Sequence, residues 1–141
     1  MAHTRAVVEA AFSFFTGPAV ERVDLTSGRF NGLFELYAPD VEWLVRVPDW
    51  VGHDTYHGHS GMREWFADWY GAFDRITLEV HRIEVVRTRA ATACTQRGQI
   101  DTGLPVEWLF GVVDDVVDGR ITRVELHGSP DAALARLTDP V

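Results

Sequence analysis

Arg97, Gln99, Asp101, Glu125 and His127 are the polar side chains that fall near the inward face of strand-like segments in this 141-residue chain. A histidine near its unperturbed pKa suits proton transfer at neutral pH, so His127 is a candidate acid or base, with Glu125 two positions before it. Strict alternation turns both away from the face that carries Leu126. A bulge near Gly128 could turn one of them inward. Arg97 could hold an enolate, carboxylate or phenolate, because fixed positive charge stabilises developing negative charge. Asp101 shares parity with Arg97 and Gln99 and could instead neutralise Arg97. Asp114 shares parity with Trp108 and Phe110 but stands toward a turn, and is expected at an exposed strand end.

The other clusters lead to less chemistry. His53, Asp54, His57 and His59 lie close in sequence, but a metal needs ligands that converge on one point. His57 and His59 flank Gly58 in a turn and are expected to be solvated, so no metal and no cofactor is expected. The single cysteine, Cys94, excludes an internal disulfide and sits in an apolar run, as a small buried residue would. There is no glycine-rich phosphate loop and no nucleophile triad order.

The elements that position these residues follow from periodicity. Thr4 to Thr16 reads as a helix capped by Thr4, with Val7, Val8, Ala11, Phe14 and Phe15 on its apolar face, stopped by Gly17-Pro18. Ala19 to Phe30 reads as an extra short helix or loop. Asn31 to Ala38 is expected to be helical, with Tyr37 to Asp40 at its end. Val41, Trp43, Val45 and Val47 then alternate with Glu42, Leu44 and Arg46, the period of a strand with one buried face. Gly58 and Gly61 bracket a turn before a helix in which Met62, Trp65, Phe66, Trp69, Tyr70 and Phe73 share a broad face. Strands follow at 76–87, 90–101 and 105–117. Asp118-Gly119 predicts a two-residue hairpin into a last strand at 121–127, and residues 130–137 read as a closing helix.

This order gives a single α+β domain over residues 1–141, with helices packed on one face of a curved, mostly antiparallel sheet. Its pocket is expected to be apolar, lined by Trp43, Val45, Trp65, Phe66, Trp69, Trp108, Phe110 and Leu126, with Tyr56 at the rim or in the core and Gln99 nearby. Large flat side chains suit a polycyclic or aromatic guest. The composition agrees: 46% hydrophobic residues with five Trp can build both a core and a cavity lining. A net charge of −8 and the lack of a basic cluster disfavour nucleic acid and acidic membranes. No segment reaches the ~18 apolar residues of a span, and the N-terminus lacks a signal peptide's pattern, so a cytoplasmic protein is expected.

The segments LYAPDVEW (36–43), YHGHSGMREWFADWYGAFD (56–74), GLPVEW (103–108) and DGRITRVE (118–125) resemble the SnoaL-like family of polyketide cyclase-like proteins, within the nuclear transport factor 2-like superfamily. Ketosteroid isomerases, limonene epoxide hydrolases and scytalone dehydratases share that fold. The resemblance implies a cone-shaped barrel whose sheet wraps around N-terminal helices, and a homodimer paired through the outer sheet face, where Leu109 and Val113 would be apolar beside Gly111. It also implies where relatives place their chemistry. The epoxide hydrolases' water holders fall on Trp43 and Val45, the isomerase base near Val45, and the acid/base Asp of the last strand on Leu126. An Arg-x-Asp pair becomes Arg97 and Gln99. Each carboxylate position is therefore apolar or neutral in this chain.

The expected function is a cofactor-free cyclase or isomerase of secondary metabolism. It would fold a polyketide-like or terpenoid-like substrate against Trp43, Trp69 and Trp108, with Arg97 or His127 assisting proton transfer; orientation alone can supply much of a cyclisation barrier. One alternative is a non-catalytic accessory protein that binds a small molecule in the same pocket. Another is an epoxide hydrolase variant, which Trp43, Val45 and Leu126 argue against.

Overall fold

Alternating apolar residues in four long segments build most of one sheet. A computed structural model describes residues 2–100 and 103–138. Its strands are β1 (Val20–Glu21), β2 (Tyr37–Arg46), β3 (Thr55–His57), β4 (Phe73–Val86), β5 (Arg89–Ile100), β6 (Pro105–Val117) and β7 (Arg120–His127). They lie in the order β1-β4-β5-β6-β7-β2-β3, antiparallel throughout except where β2 runs parallel to β7. The sheet is curved and does not close, so the architecture is α+β with an open cone rather than a completed barrel.

Two helices fill the concave face. α1 (Ala2–Ser13) buries Val7, Val8 and Ala11, and Phe15 continues that face beyond the helix. α2 (Gly58–Tyr70) buries Met62, Trp65, Phe66, Trp69 and Tyr70. That spacing of three and four residues places all five on one stripe. Gly58 opens α2 at φ 66°, where a side chain would be strained and its Cβ would press to 3.0 Å from the Pro39 carbonyl.

The convex face has its own cover. α3 (Pro130–Ala135) is capped by Ser129, whose Oγ accepts from the Ala132 amide at 3.2 Å. Ala133 packs with Ala91 and Val113. Gly111 makes this approach possible, since a Cβ there would stand 2.5 Å from the Ala133 Cβ. Val113, expected on an exposed pairing face, is therefore only 2% exposed, while Leu109 remains open.

Several boundaries differ from the sequence reading. Residues 31–38 are not a helix: a single 3-10 turn, Phe34–Leu36, leads into β2, which already begins at Tyr37. The 19–30 segment supplies the edge strand β1 against β4 and a 3-10 turn at Gly28–Phe30. Gly58 and Gly61 stand in the first turn of α2, and Phe73 opens β4. Thr4 lies inside α1, and its hydroxyl donates to the Arg87 carbonyl at 3.1 Å instead of capping. The Asp118-Gly119 hairpin forms as predicted, with φ of 52° and 80°, the signature of a type I′ turn.

Candidate functional site

Cross-strand register fixes which side chains meet above the concave face. Trp43 pairs with Val124, Val124 with Asp114, and Asp114 with Ala90. One row along, Val45 pairs with Leu126 and Leu126 with Val112. Period-2 alternation therefore puts Trp43, Val124 and Asp114 on the surface that α1 and α2 cover. Between that surface and the helices lies a narrow inner cavity of about 50 Å³. Phe12, Phe15, Tyr37, Trp43, Trp65, Phe66, Tyr70, Leu78, Phe110 and Leu126 line it, with Asp114 as its one ionisable carboxyl.

Asp114 is 3% exposed, and among the described residues no hydrogen bond reaches its carboxyl. Burial, reinforced by the charge of Asp115, pushes its pKa up to about 8. An unpaired carboxylate is expensive in such surroundings, so the group holds its proton at neutral pH. Tyr37, only 7% exposed, has its phenol raised well above the usual value by burial and then by Asp114 and Tyr70. Tyr70 is raised by burial as well. Burial and the nearby Asp114 push the Cys94 thiol up to about 12, so it is inert as a nucleophile. The indole nitrogens of Trp43 and Trp65 are buried without a partner. The cavity is thus apolar in surface but edged by donors: a neutral carboxyl and two neutral phenols, with two unpaired indole N–H groups on its lining residues. Such a set suits a ligand that brings acceptor oxygens.

A second, outer pocket of about 220 Å³ is lined by Trp50, Trp69, Phe73, Gln96, Val106 and Trp108. A run of stacked and tilted rings separates it from the inner cavity. Trp43 lies 4.6 Å from Trp65, Trp65 5.2 Å from Trp69, Trp69 4.7 Å from Trp108, and Trp108 4.8 Å from Phe110.

The structure distributes the anticipated pocket residues over these two spaces. Trp43, Trp65, Phe66, Phe110 and Leu126 line the inner cavity, and Trp69 and Trp108 the outer pocket. Val45 is buried in the core. Tyr56 is buried too, its hydroxyl donating to Asp68 at 2.7 Å. Gln99 lies beside Arg75, Arg97 and Gly98 in a shallow depression away from both.

The anticipated acid–base groups do not reach the cavity. Arg97 pairs in register with Thr77 and Glu107 on the convex face, where its guanidinium donates to Glu107 at 2.7 Å and Glu79 at 3.1 Å. Glu125 and His127 also keep strict alternation and face α3. The irregularity in this part of the sheet falls between Asp115 and Val116, so no bulge turns His127 inward. Glu125 accepts from Arg136 at 2.9 and 3.0 Å and pairs with Arg123 and His127 at 3.1 Å each. Burial alone would raise its pKa, but the hydrogen bonds and charges of His127, Arg136 and Arg123 hold it well below the carboxylate range. These residues clasp the C-terminal helix to the sheet. Asp101 lies outside the described residues. His57 stays exposed, His59 bonds the Tyr37 carbonyl at 3.0 Å, and among the described residues no group of three metal-ligating side chains converges.

Asp114 was expected at an exposed strand end. The signal that could have found it is its parity with Trp108, Phe110 and Val112. Alternation simply continues, and α1 and Tyr37 extend far enough to cover it. Tyr37 was hidden by the helical reading of 31–38.

Residues 19–124 match the profile of the SnoaL-like domain. No curated protein matches the chain. Among solved structures, TerC co-crystallised with polyporic acid is 20% identical, with 96% of this chain and 97% of that one covered and a TM-score of 0.71. An NTF2-like protein of unknown function from Burkholderia pseudomallei K96243 is 19% identical, with 99% and 100% covered and a TM-score of 0.70. A protein from Jannaschia sp. CCS1, assigned as a SnoaL-like polyketide cyclase, is 13% identical, with 99% and 94% covered and a TM-score of 0.72. At these identities the structures speak for the fold. Among the described residues no helix is long and apolar enough to cross a membrane.

Proposed function

The chain belongs to the SnoaL-like family, and from that premise we propose that it is a cofactor-free cyclase or isomerase acting on a polyketide-like or terpenoid-like carbonyl compound of secondary metabolism. The observation that carries the reading is Asp114: a carboxyl held neutral inside an aromatic cavity, beside Tyr37 and Tyr70. A carboxylic acid that stays protonated at pH 7 can donate to a carbonyl oxygen as charge develops there. In a cyclisation, the enol carbon of the substrate attacks that carbonyl carbon. The new carbon–carbon bond forms as the carbonyl π bond breaks, Asp114 gives its proton to the alkoxide, and the enol O–H proton returns to the carboxylate. Tyr37 and Tyr70 would orient the oxygens, and the aromatic walls would hold the chain folded and exclude water. TerC, of the same fold, was co-crystallised with polyporic acid. We also propose that it works as a cytoplasmic homodimer.

The test uses a simple carbonyl acid. With 2-tetralone in deuterium oxide, Asp114 would give its proton to the carbonyl oxygen while its other oxygen takes one from the adjacent carbon, so the protein should accelerate exchange there, and Asp114→Asn should lower the rate ~10²-fold or more. Donation by the neutral carboxyl requires the rate to fall as pH rises through about 8. Equal exchange by both proteins would remove Asp114 from the chemistry. Tight binding of the ketone without exchange would favour the second reading, a small-molecule-binding accessory protein, which the apolar Val45 and Leu126 support.

A further inference from the structure

The outer pocket shares no lining residue with the inner cavity, and Trp69 and Trp108 stack against Trp65 and Phe110 between them. Trp50 and Trp108 each lie against Trp69, at 5.3 and 4.7 Å, while no ring contact joins Trp50 to Trp108. The two indoles therefore stand as separate walls over a Trp69 floor. Trp50 is fixed in this position by its own N–H, which donates to the His53 carbonyl at 2.9 Å.

One polar side chain belongs to this pocket. Gln96 is only 4% exposed, and its Oε1 accepts from Trp69 Nε1 at 3.2 Å. An indole nitrogen can only donate, so this bond fixes the orientation of the amide: the oxygen faces Trp69 and the NH₂ group is the free end. Among the described residues no hydrogen bond engages that NH₂ group. That NH₂ group is not among the fully buried polar atoms, so it opens onto the pocket that Gln96 lines, where an acceptor oxygen can meet it. The lining carries no carboxylate to attract a cation.

We propose that the outer pocket is a second ligand site, which takes a flat, neutral aromatic ring between Trp50 and Trp108 and binds one acceptor oxygen of that ring system through the Gln96 amide. Stacking supplies the affinity and Gln96 the selectivity. The site is independent of the chemistry assigned to Asp114.

The five tryptophans make the test direct, since each indole N–H gives its own NMR signal, assignable by substitution. Titration with 2-acetonaphthone, a planar neutral ketone, should shift Trp50, Trp69 and Trp108 saturably and leave Trp43 in place. Naphthalene, which lacks the acceptor, should bind ~10-fold more weakly, and Gln96→Met should erase that difference. Trp50→Ala, a change in a surface loop, should raise Kd ~10-fold. Shifts at Trp43 and Trp65 without Trp50 and Trp108 would put the ketone in the inner cavity and overturn the proposal. So would the lack of any saturable shift up to millimolar ketone. Equal binding of ketone and hydrocarbon would remove Gln96 from recognition. Each of these outcomes leaves the Asp114 exchange experiment standing.

Discussion

Replacing Asp114 by Asn should stabilise the protein, and the gain should depend on pH in one direction. The carboxyl titrates at 3.8 in its ordinary state and at about 8 in the folded chain. Between those values the native state keeps a proton that the unfolded state has released, so stability falls as pH rises and levels off above about 8. Each pKa unit corresponds to about 1.36 kcal/mol, so by pH 7 the native carboxyl has cost on the order of 4 kcal/mol. That is a large part of the ~5–15 kcal/mol that holds a typical domain together. Asn has nearly the same shape and does not titrate in this range. The assay is urea unfolding of both proteins, followed by tryptophan fluorescence, at several pH values from about 4 to 9. The difference curve, variant minus wild type, should rise with pH by at most ~1.4 kcal/mol per unit and flatten above about pH 8. A constant offset from the Asn amide would move the whole curve without changing its slope. A flat curve would refute the reasoning: Asp114 would then be solvated or paired, and the cavity would not be the dry, donor-edged space that the proposed acid chemistry needs.

Other expectations follow from the same geometry. Glu125→Gln should cost about 3 kcal/mol at pH 7, because Arg136 and Arg123 lose their buried partner. In the wild type the corresponding stability should fade as pH drops below about 4.5, since the folded pKa is depressed; a mild, pH-independent effect in denaturant titrations would contradict this. Gly111→Val should destabilise by ~1–3 kcal/mol through collision with Ala133, and hydrogen exchange should show α3 loosened before the sheet. Trp65→Ala, inside the core, should cost ~3–5 kcal/mol in thermal or chemical unfolding, and the half-buried Trp108→Ala less. Equal losses would place Trp108 in the core rather than on a pocket wall. A homodimer at micromolar concentration should appear in sedimentation, paired through the convex face around the exposed Leu109, which α3 leaves uncovered; a monomer alone would reject it.

The fold was legible because its signals are local and redundant. Met62, Trp65, Phe66, Trp69 and Tyr70 spell one helical stripe, Asp118-Gly119 allows few turns, and three long alternating segments must pair as neighbours. The site was legible only in its walls. Trp43, Phe110 and Leu126 face the inner cavity because strand parity turns them there, and Trp65 and Phe66 because they share the apolar stripe of α2. The polar residues were misplaced because chemistry was weighed above parity: Arg97, Glu125 and His127 are the more reactive types, yet alternation had already assigned them to the convex face, where Glu79, Glu107 and the arginines near α3 satisfy them. The converse holds for Asp114. Its type suggested a surface, and its parity suggested the cavity. What sequence could not supply was the cover, since whether α1 and Tyr37 reach over that position depends on where β2 begins, and Tyr37 enters the sheet four residues earlier than the Val41 alternation indicates. A carboxylate on an inward-facing strand position costs several kcal/mol unless something keeps it neutral, and a buried carboxyl with a strongly raised pKa in a cavity marks a candidate functional group. The proposed chemistry needs an acid where alternation turns a carboxyl into the cavity, and Asp114 is the one carboxyl among the residues that line it.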